Sequence, residues 1–164
     1  VSTETTPTWA NVTLSDLLVS LQVPHEWEAT PAEYAVTLHG PADADYTPTV
    51  TLQEGEPEEP GHDWWDDFTE QIVGHLIDSS PEFEFVGQRE FLLSSLGAEV
   101  YVVTARWHSP DPSVPETFQL QAWIWAGSTR MYQFSASTSA AHQERDLPIF
   151  DHMLGSIRLL PARP

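Results

Sequence analysis

The chain contains no cysteine and no lysine, and its only fixed cations are arginines: six basic residues stand against 25 carboxylates in 164 positions. Without cysteine there is no disulfide, thiolate metal site, iron–sulfur cluster or cysteine nucleophile. The formal charge of −19 repels phosphate backbones and anionic headgroups, which argues against nucleic acid and membrane surfaces as partners. Long apolar runs are also missing. Nothing approaches the ~18 residues needed to span a bilayer, so no membrane insertion is expected. The opening VSTETTPTWANVT has neither a basic nor an apolar region, so no signal peptide is read there. A cytoplasmic location is therefore expected; a trimmed N-terminus would instead allow an exported or lipid-anchored protein.

What is present is core material. Hydrophobic residues make up 40%, with seven Trp and seven Phe, enough for one domain of ordinary size. A Ser/Thr/Pro-rich arm is expected over residues 1–12, a single domain over 13–160 and a short tail over 161–164. In DLLVSLQVP the residues Leu17, Val19, Leu21 and Val23 alternate, as in a strand ended by Pro24. EYAVTLHGP places Tyr34, Val36 and Leu38 on one face. TPTVTLQEG places Val50 and Leu52 on one face and threonines on the other.

The period then changes. Trp65, Phe68, Ile72 and Leu76 fall in one narrow sector of a helix over about 62–79, with Asp63, Asp66, Asp67, Glu70 and Asp78 opposite. The preceding EGEPEEPG reads as an acidic loop, and carboxylates in the first turns match the positive end of the helix dipole. From Phe83 onward, FEFVGQREFLLSS, AEVYVVTARWH, TFQLQAWIWA and TRMYQFSAST read as four strands separated by short breaks, which demands antiparallel neighbours. DLPIFDHMLGSIRLL predicts a short helix with Pro148 near its start and Gly155 at its end, then a few extended residues. The order β-β-β-α-β-β-β-β-α indicates an α+β fold with a largely antiparallel sheet.

Catalytic and cofactor chemistry has no motif here. His62 and Asp66 are spaced i, i+4, yet no HExxH pair or DxDxDG loop accompanies them, and the seven histidines are scattered singly. There is no GxSxG elbow, no GxxxxGK[ST] and no GxGxxG. No enzyme activity, metal or cofactor is expected. One constellation stands out. The strand period puts Gln119, Gln121, Trp123 and Trp125 on one face of TFQLQAWIWA, and Met131 and Gln133 belong to the next strand. Aromatic rings supply area and amides supply hydrogen bonds, so such a face binds peptides, apolar helices or sugars. The competing reading is that one of the two helices covers it.

VPHEW after the first strand read, TPTVTLQEG before an acidic helix, FVGQREFLL, AEVYVVTARW, QLQAWIW, RMYQFSAS and the closing PIFDHMLGSIRL form an ordered series. Together they resemble the PsbP-like superfamily, especially its DcrB-like and LpqN-like bacterial branch, over about residues 14–160. Pro24 with Trp27, and Phe150, Asp151, Met153, Leu154, Ser156, Ile157 and Arg158, carry the two family motifs. The resemblance implies an α/β/α sandwich around an antiparallel sheet flanked by two main helices, with no catalytic residues. It also implies a binding or assembly role, including chaperones that hold apolar helices against the sheet. On that basis the expected partner is another protein, offering an apolar helix or peptide segment. The alternative is a carbohydrate or small ligand stacked on Trp123 and Trp125. No lipid-attachment cysteine is present.

Overall fold

The computed structural model describes residues 7–42, 46–55, 62–79, 82–126 and 130–160. Five strands come first: β1 (Trp9–Leu14), β2 (Val19–Pro24), β3 (Glu28–Ala32), β4 (Ala35–His39) and β5 (Thr49–Gly55). Helix α1 (His62–Ser79) follows, then β6 (Phe83–Leu93), β7 (Ala98–Trp107), β8 (Thr117–Trp125) and β9 (Met131–Ser139). A 3-10 turn at Ala140–His142 leads into α2 (Gln143–Gly155), and β10 (Arg158–Leu159) ends the described chain. Seven strands form one sheet in the order β3-β4-β5-β9-β8-β7-β6, and β1-β2-β10 form a smaller one. Every pairing is antiparallel. The fold is α+β, with two main helices flanking the antiparallel sheet.

Strand alternation decides which side chains enter the core. Phe118, Leu120, Ala122 and Ile124 of β8 are all buried on one side, where Leu120, Ala122 and Ile124 join Phe134 and Tyr132 of β9, Val50 and Leu52 of β5, and Val36 and Leu38 of β4. Leu17, Val19, Leu21 and Val23 close this core from the small sheet, and Phe150, Met153 and Leu154 close it from α2. Ile157, just past the helix stop, is also buried. Two long-range polar contacts fasten the layers: Tyr132 donates to the Leu17 carbonyl at 2.8 Å, and Ser156 Oγ accepts from the Gln22 amide at 2.8 Å. Arg89 of β6 pairs with Asp151 of α2.

Four departures from the sequence reading have physical causes. Residues 9–12, expected in a loose arm, belong to β1, because Trp9 and Val12 pack on the core while β1 pairs along β2. The rest of that arm through residue 6, the acidic loop at 56–61 and the tail at 161–164 lie outside the described residues. Strand β3, EATPA, was not anticipated; it is exposed throughout, so no apolar alternation marks it. Tyr34 does not share the buried face of Val36 and Leu38. It sits at φ 57° in the two-residue connection between β3 and β4 and is 56% exposed. Helix α2 starts five residues ahead of Pro148, which lies inside it and leaves one i→i−4 bond unmade.

Strand β6 carries a bulge between Phe85 and Gly87, where Val86 has no partner on β7. Before it, Phe83 and Phe85 lie opposite Trp107 and Ala105; after it, Gln88, Glu90 and Leu92 lie opposite Val103, Tyr101 and Glu99.

Phe150 is fully buried between α2 and the sheet. Phe150→Ala is expected to lower the free energy of unfolding by about 3–5 kcal/mol in denaturant titration. A loss under about 1 kcal/mol, the scale of a surface change, would mean that α2 does not close the core.

Candidate functional site

The face of β8 singled out in the sequence is the one turned away from the α2 core. Register carries that face across the whole sheet. Trp125 lies opposite Met131 and Glu99, Trp123 opposite Gln133 and Tyr101, Gln121 opposite Ser135 and Val103, and Gln119 opposite Ser137 and Ala105. The six expected site residues are therefore brought together on one surface. That surface has two halves of different character.

Helix α1 occupies the first half. Its apolar sector is the one read from the 3.6-residue period: Trp65 is buried, and Phe68, Ile72 and Leu76 pack on the same cluster as Tyr101, Val103 and Trp123. The Trp65 ring stacks on Trp125 at 5.8 Å between centroids, and Phe68 meets Trp123 edge-on at 5.6 Å. Asp66, Asp67, Glu70 and Asp78 face solvent on the other side of the helix. Trp123 is left only 5% exposed, Trp125 half-buried, and Met131 packed against the same cluster. Of the two readings left open by the sequence, the one in which a helix covers the tryptophan face holds. The chain's own amphipathic helix takes the place foreseen for an apolar partner segment, because its rings bury more apolar area there than water contact allows.

The second half is polar. Across β3, β4, β5, β9 and β8, one row in register reads Thr30, Thr37, Thr51, Ser135 and Gln121. The cluster beneath α1 draws no residue from β3, β4 or β5. In that row Thr30 is exposed and the others are partly exposed. Beside it, the Gln53 amide donates to Gln133 Oε1 at 2.9 Å. The row on the far side holds Gln119, Ser137, Thr49, His39 and Glu28, and the Tyr46 hydroxyl hydrogen-bonds Ser137 Oγ at 2.7 Å. Adjacent strands set these side chains about 4.8 Å apart across the sheet. The sequence signal for the threonines was present in β4 and β5 as the polar phase of their alternation. Which strands would lie side by side was not.

At the far end of β7, an exposed charge cluster joins three strands. His108 Nε2 lies 2.9 Å from Glu84 Oε2, its Nδ1 lies 3.6 Å from Glu116 Oε2, and Arg106 lies 3.8 Å from the same Glu116 carboxylate. The hydrogen bond to Glu84 raises the His108 pKa above the ordinary 6.5, with the Glu116 charge adding to it. The same bond holds Glu84 below its ordinary 4.5. Among the described residues no group of three or more His, Asp or Glu is placed to hold a metal ion, and the His62 side chain lies outside them. No described helix is long and apolar enough to cross a membrane.

No family model matches the chain, and no curated protein matches it either. Solved structures do. The chain is similar to the cyanobacterial PsbP protein CyanoP of Synechocystis sp. PCC 6803, with TM-score 0.64 and 12% identity over 97% of this chain and 96% of that one. It is similar to LpqN of Mycobacterium tuberculosis, a protein involved in cell envelope biogenesis, with TM-score 0.65 and 14% identity over 94% and 91%. It is also similar to the Saccharomyces cerevisiae Ran-binding protein Mog1p, with TM-score 0.62 and 10% identity over 94% and 97%. The chain has the PsbP-like fold. The cytoplasmic location expected from the first residues is corrected: it does not agree with the structural neighbour LpqN, which is involved in cell envelope biogenesis.

Two measurements check the site's construction. Trp123→Ala is expected to cost about 3–5 kcal/mol of stability, as for emptying a core aromatic site; a cost below about 1 kcal/mol would mean that α1 does not cover this half. In an NMR titration, His108 should lose its proton above pH 6.5, and Glu84→Gln should move its midpoint down. The sign follows from linkage. A raised histidine pKa stabilises fully below 6.5 and is lost as pH rises through the folded value, whereas the lowered Glu84 pKa stabilises above 4.5 and is lost as pH falls. The pair is therefore tightest between those limits. A midpoint at or below 6.5 in the native protein would contradict the contact.

Proposed function

We propose that this PsbP-like domain is a non-catalytic binding protein that takes a hydroxyl-rich, uncharged ligand, a carbohydrate chain, on the open polar half of its sheet. The observation that carries the reading is the row Thr30, Thr37, Thr51, Ser135 and Gln121, held in register across five strands. In a chain with 25 carboxylates, this row has none. Hydroxyls and amides both donate and accept, which is the pairing that sugar hydroxyls need and that an ion does not. Gln119 and Gln133 extend the array on either side, and Trp125 and Met131 sit where it meets the edge of the α1 cluster.

The apolar helix or peptide expected as partner fits less well. Such a segment would have to displace α1 and expose Trp65, Trp123 and the rings around them. A chaperone role through this face therefore has no open apolar surface to rest on. The breadth of the fold supports a binding role in general, since one structural neighbour is a Ran-binding protein.

The test is a glycan array followed by calorimetric titration of the best oligosaccharide. The double variant Thr37→Val/Thr51→Val removes two hydroxyls while keeping β-branched shape and strand propensity. It is expected to weaken binding about tenfold or more, at about 1 kcal/mol per hydrogen bond lost, without lowering the melting temperature. No glycan bound, or a double variant that binds as the parent does, overturns the proposal.

A further inference from the structure

A separate pocket of about 160 Å³ lies where β2 ends and α2 begins. Pro7, Pro24, Pro41 and Pro48 wall it, together with the indole of Trp27. The Trp27 amide donates to the Pro24 carbonyl at 3.0 Å, closing a tight turn that carries Glu26 on the pocket's rim. The indole can seat there because residue 40 is glycine: a methyl group at Gly40 would lie 2.7 Å from Pro48 Cγ and 2.9 Å from the Trp27 ring. Arg145 and Asp146 of α2 form the polar end. Asp146 is only 2% exposed. Its carboxylate accepts from Thr138 Oγ1 at 2.5 Å and from Arg145 Nε and Nη2 at 2.8 and 2.9 Å.

We infer that this pocket is a site for a small organic cation, an amine or quaternary ammonium on a short tail. Proline has no amide hydrogen, so four wall positions offer an anion no backbone donor and leave carbonyl oxygens as their only polar atoms. The Arg145 charge is matched by Asp146, which leaves the Glu26 carboxylate as the unbalanced charge at the mouth. An indole face attracts a cation by its quadrupole. The volume is close to the ~150 Å³ that accommodates a benzene ring in an engineered protein cavity, so a trimethylammonium head fits. The proline rings have almost no rotamer freedom to lose, so ordering the walls costs little.

Choline, its uncharged carbon isostere (tert-butyl in place of trimethylammonium) and the corresponding carboxylate serve as probes. Each is titrated into the labelled protein while the Trp27 indole N–H and Gly40 amide resonances are followed. Choline should produce saturable shifts at both, and the neutral isostere should bind at least about fivefold more weakly, the scale of one cation–π contact. Glu26→Gln, an exposed change that leaves the walls intact, should weaken choline but not the neutral isostere. The Thr37→Val/Thr51→Val protein should titrate with choline as the parent does, so this site and the sheet face fail or stand separately. Equal binding of the neutral isostere, tighter binding of the carboxylate, or no saturable shift at Trp27 overturns the inference.

Discussion

The pairing of β5 with β9 is the contact on which the rest of this structure depends. It joins two stretches of chain separated by α1 and three strands, from Thr49 against Ser137 to Gly55 against Met131. Before it forms, the early meander and the late meander are two small sheets, each with one apolar face and nothing broad enough to bury it. Once it forms, Val50, Leu52, Phe134 and Ala136 lie side by side, and a single apolar surface spans β4 to β8. Only that surface is wide enough to receive both β2 and α2, which pack side by side on it. Loop closure over so long a separation is entropically costly, and the cost is offset by burial that neither half could supply alone.

The same pairing divides the opposite face. Because α1 is connected directly to β6, it lies back over β6, β7 and β8, where Tyr101, Val103 and Trp123 meet its aromatic stripe. The strands brought in by β5 are left beyond its reach. Their solvent-facing phase is mostly polar and carries a threonine on each strand, Thr30, Thr37 and Thr51, a residue type that satisfies strand propensity and water at once. Covered and open halves thus follow from connectivity, and the chemistry of each half matches its exposure. Among the described residues, the carboxylates of Asp66, Asp67, Glu70 and Asp78 lie on the outer side of α1, away from the row of Thr30, Thr37, Thr51, Ser135 and Gln121.

Most of the elements were legible because their periods are clean. Trp65, Phe68, Ile72 and Leu76 define α1, and Phe118 through Ile124 define β8, with each residue on the face its spacing assigns. What was missed has no period to read. EATPA is an exposed edge strand whose identity comes from pairing with β4, and WANVTL becomes a strand only because β2 offers it an edge. Alternation separated the face of Gln119, Gln121, Trp123 and Trp125 from the core face of β8, but the sequence could not decide what covered it. That depends on where α1 falls relative to Trp123, a tertiary fact carried by no local pattern. The polar row needs strand order as well as alternation: Thr37, Thr51 and Ser135 are far apart in sequence and adjacent only through β5 and β9. The Pro24–Trp27 motif was visible, whereas its closure over Gly40 and its nearness to Arg145 and Asp146 were not.

Val86 gives β6 a change of phase. On one side of it, odd-numbered residues such as Phe83 and Phe85 face α1; on the other, the even-numbered Gln88, Glu90 and Leu92 do, while Arg89, Phe91 and Leu93 turn to the α2 side. Removing that single residue would leave a smooth ladder in which Gly87 follows Phe85 and every other residue of β6 keeps its partner and its face, whereas removing any paired residue beyond the bulge would shift the pairing of the strand past it. In evolutionary terms, a relative with a straight strand here is one residue out of step, and a residue-by-residue comparison across β6 matches core positions to solvent positions unless a gap is placed at Val86.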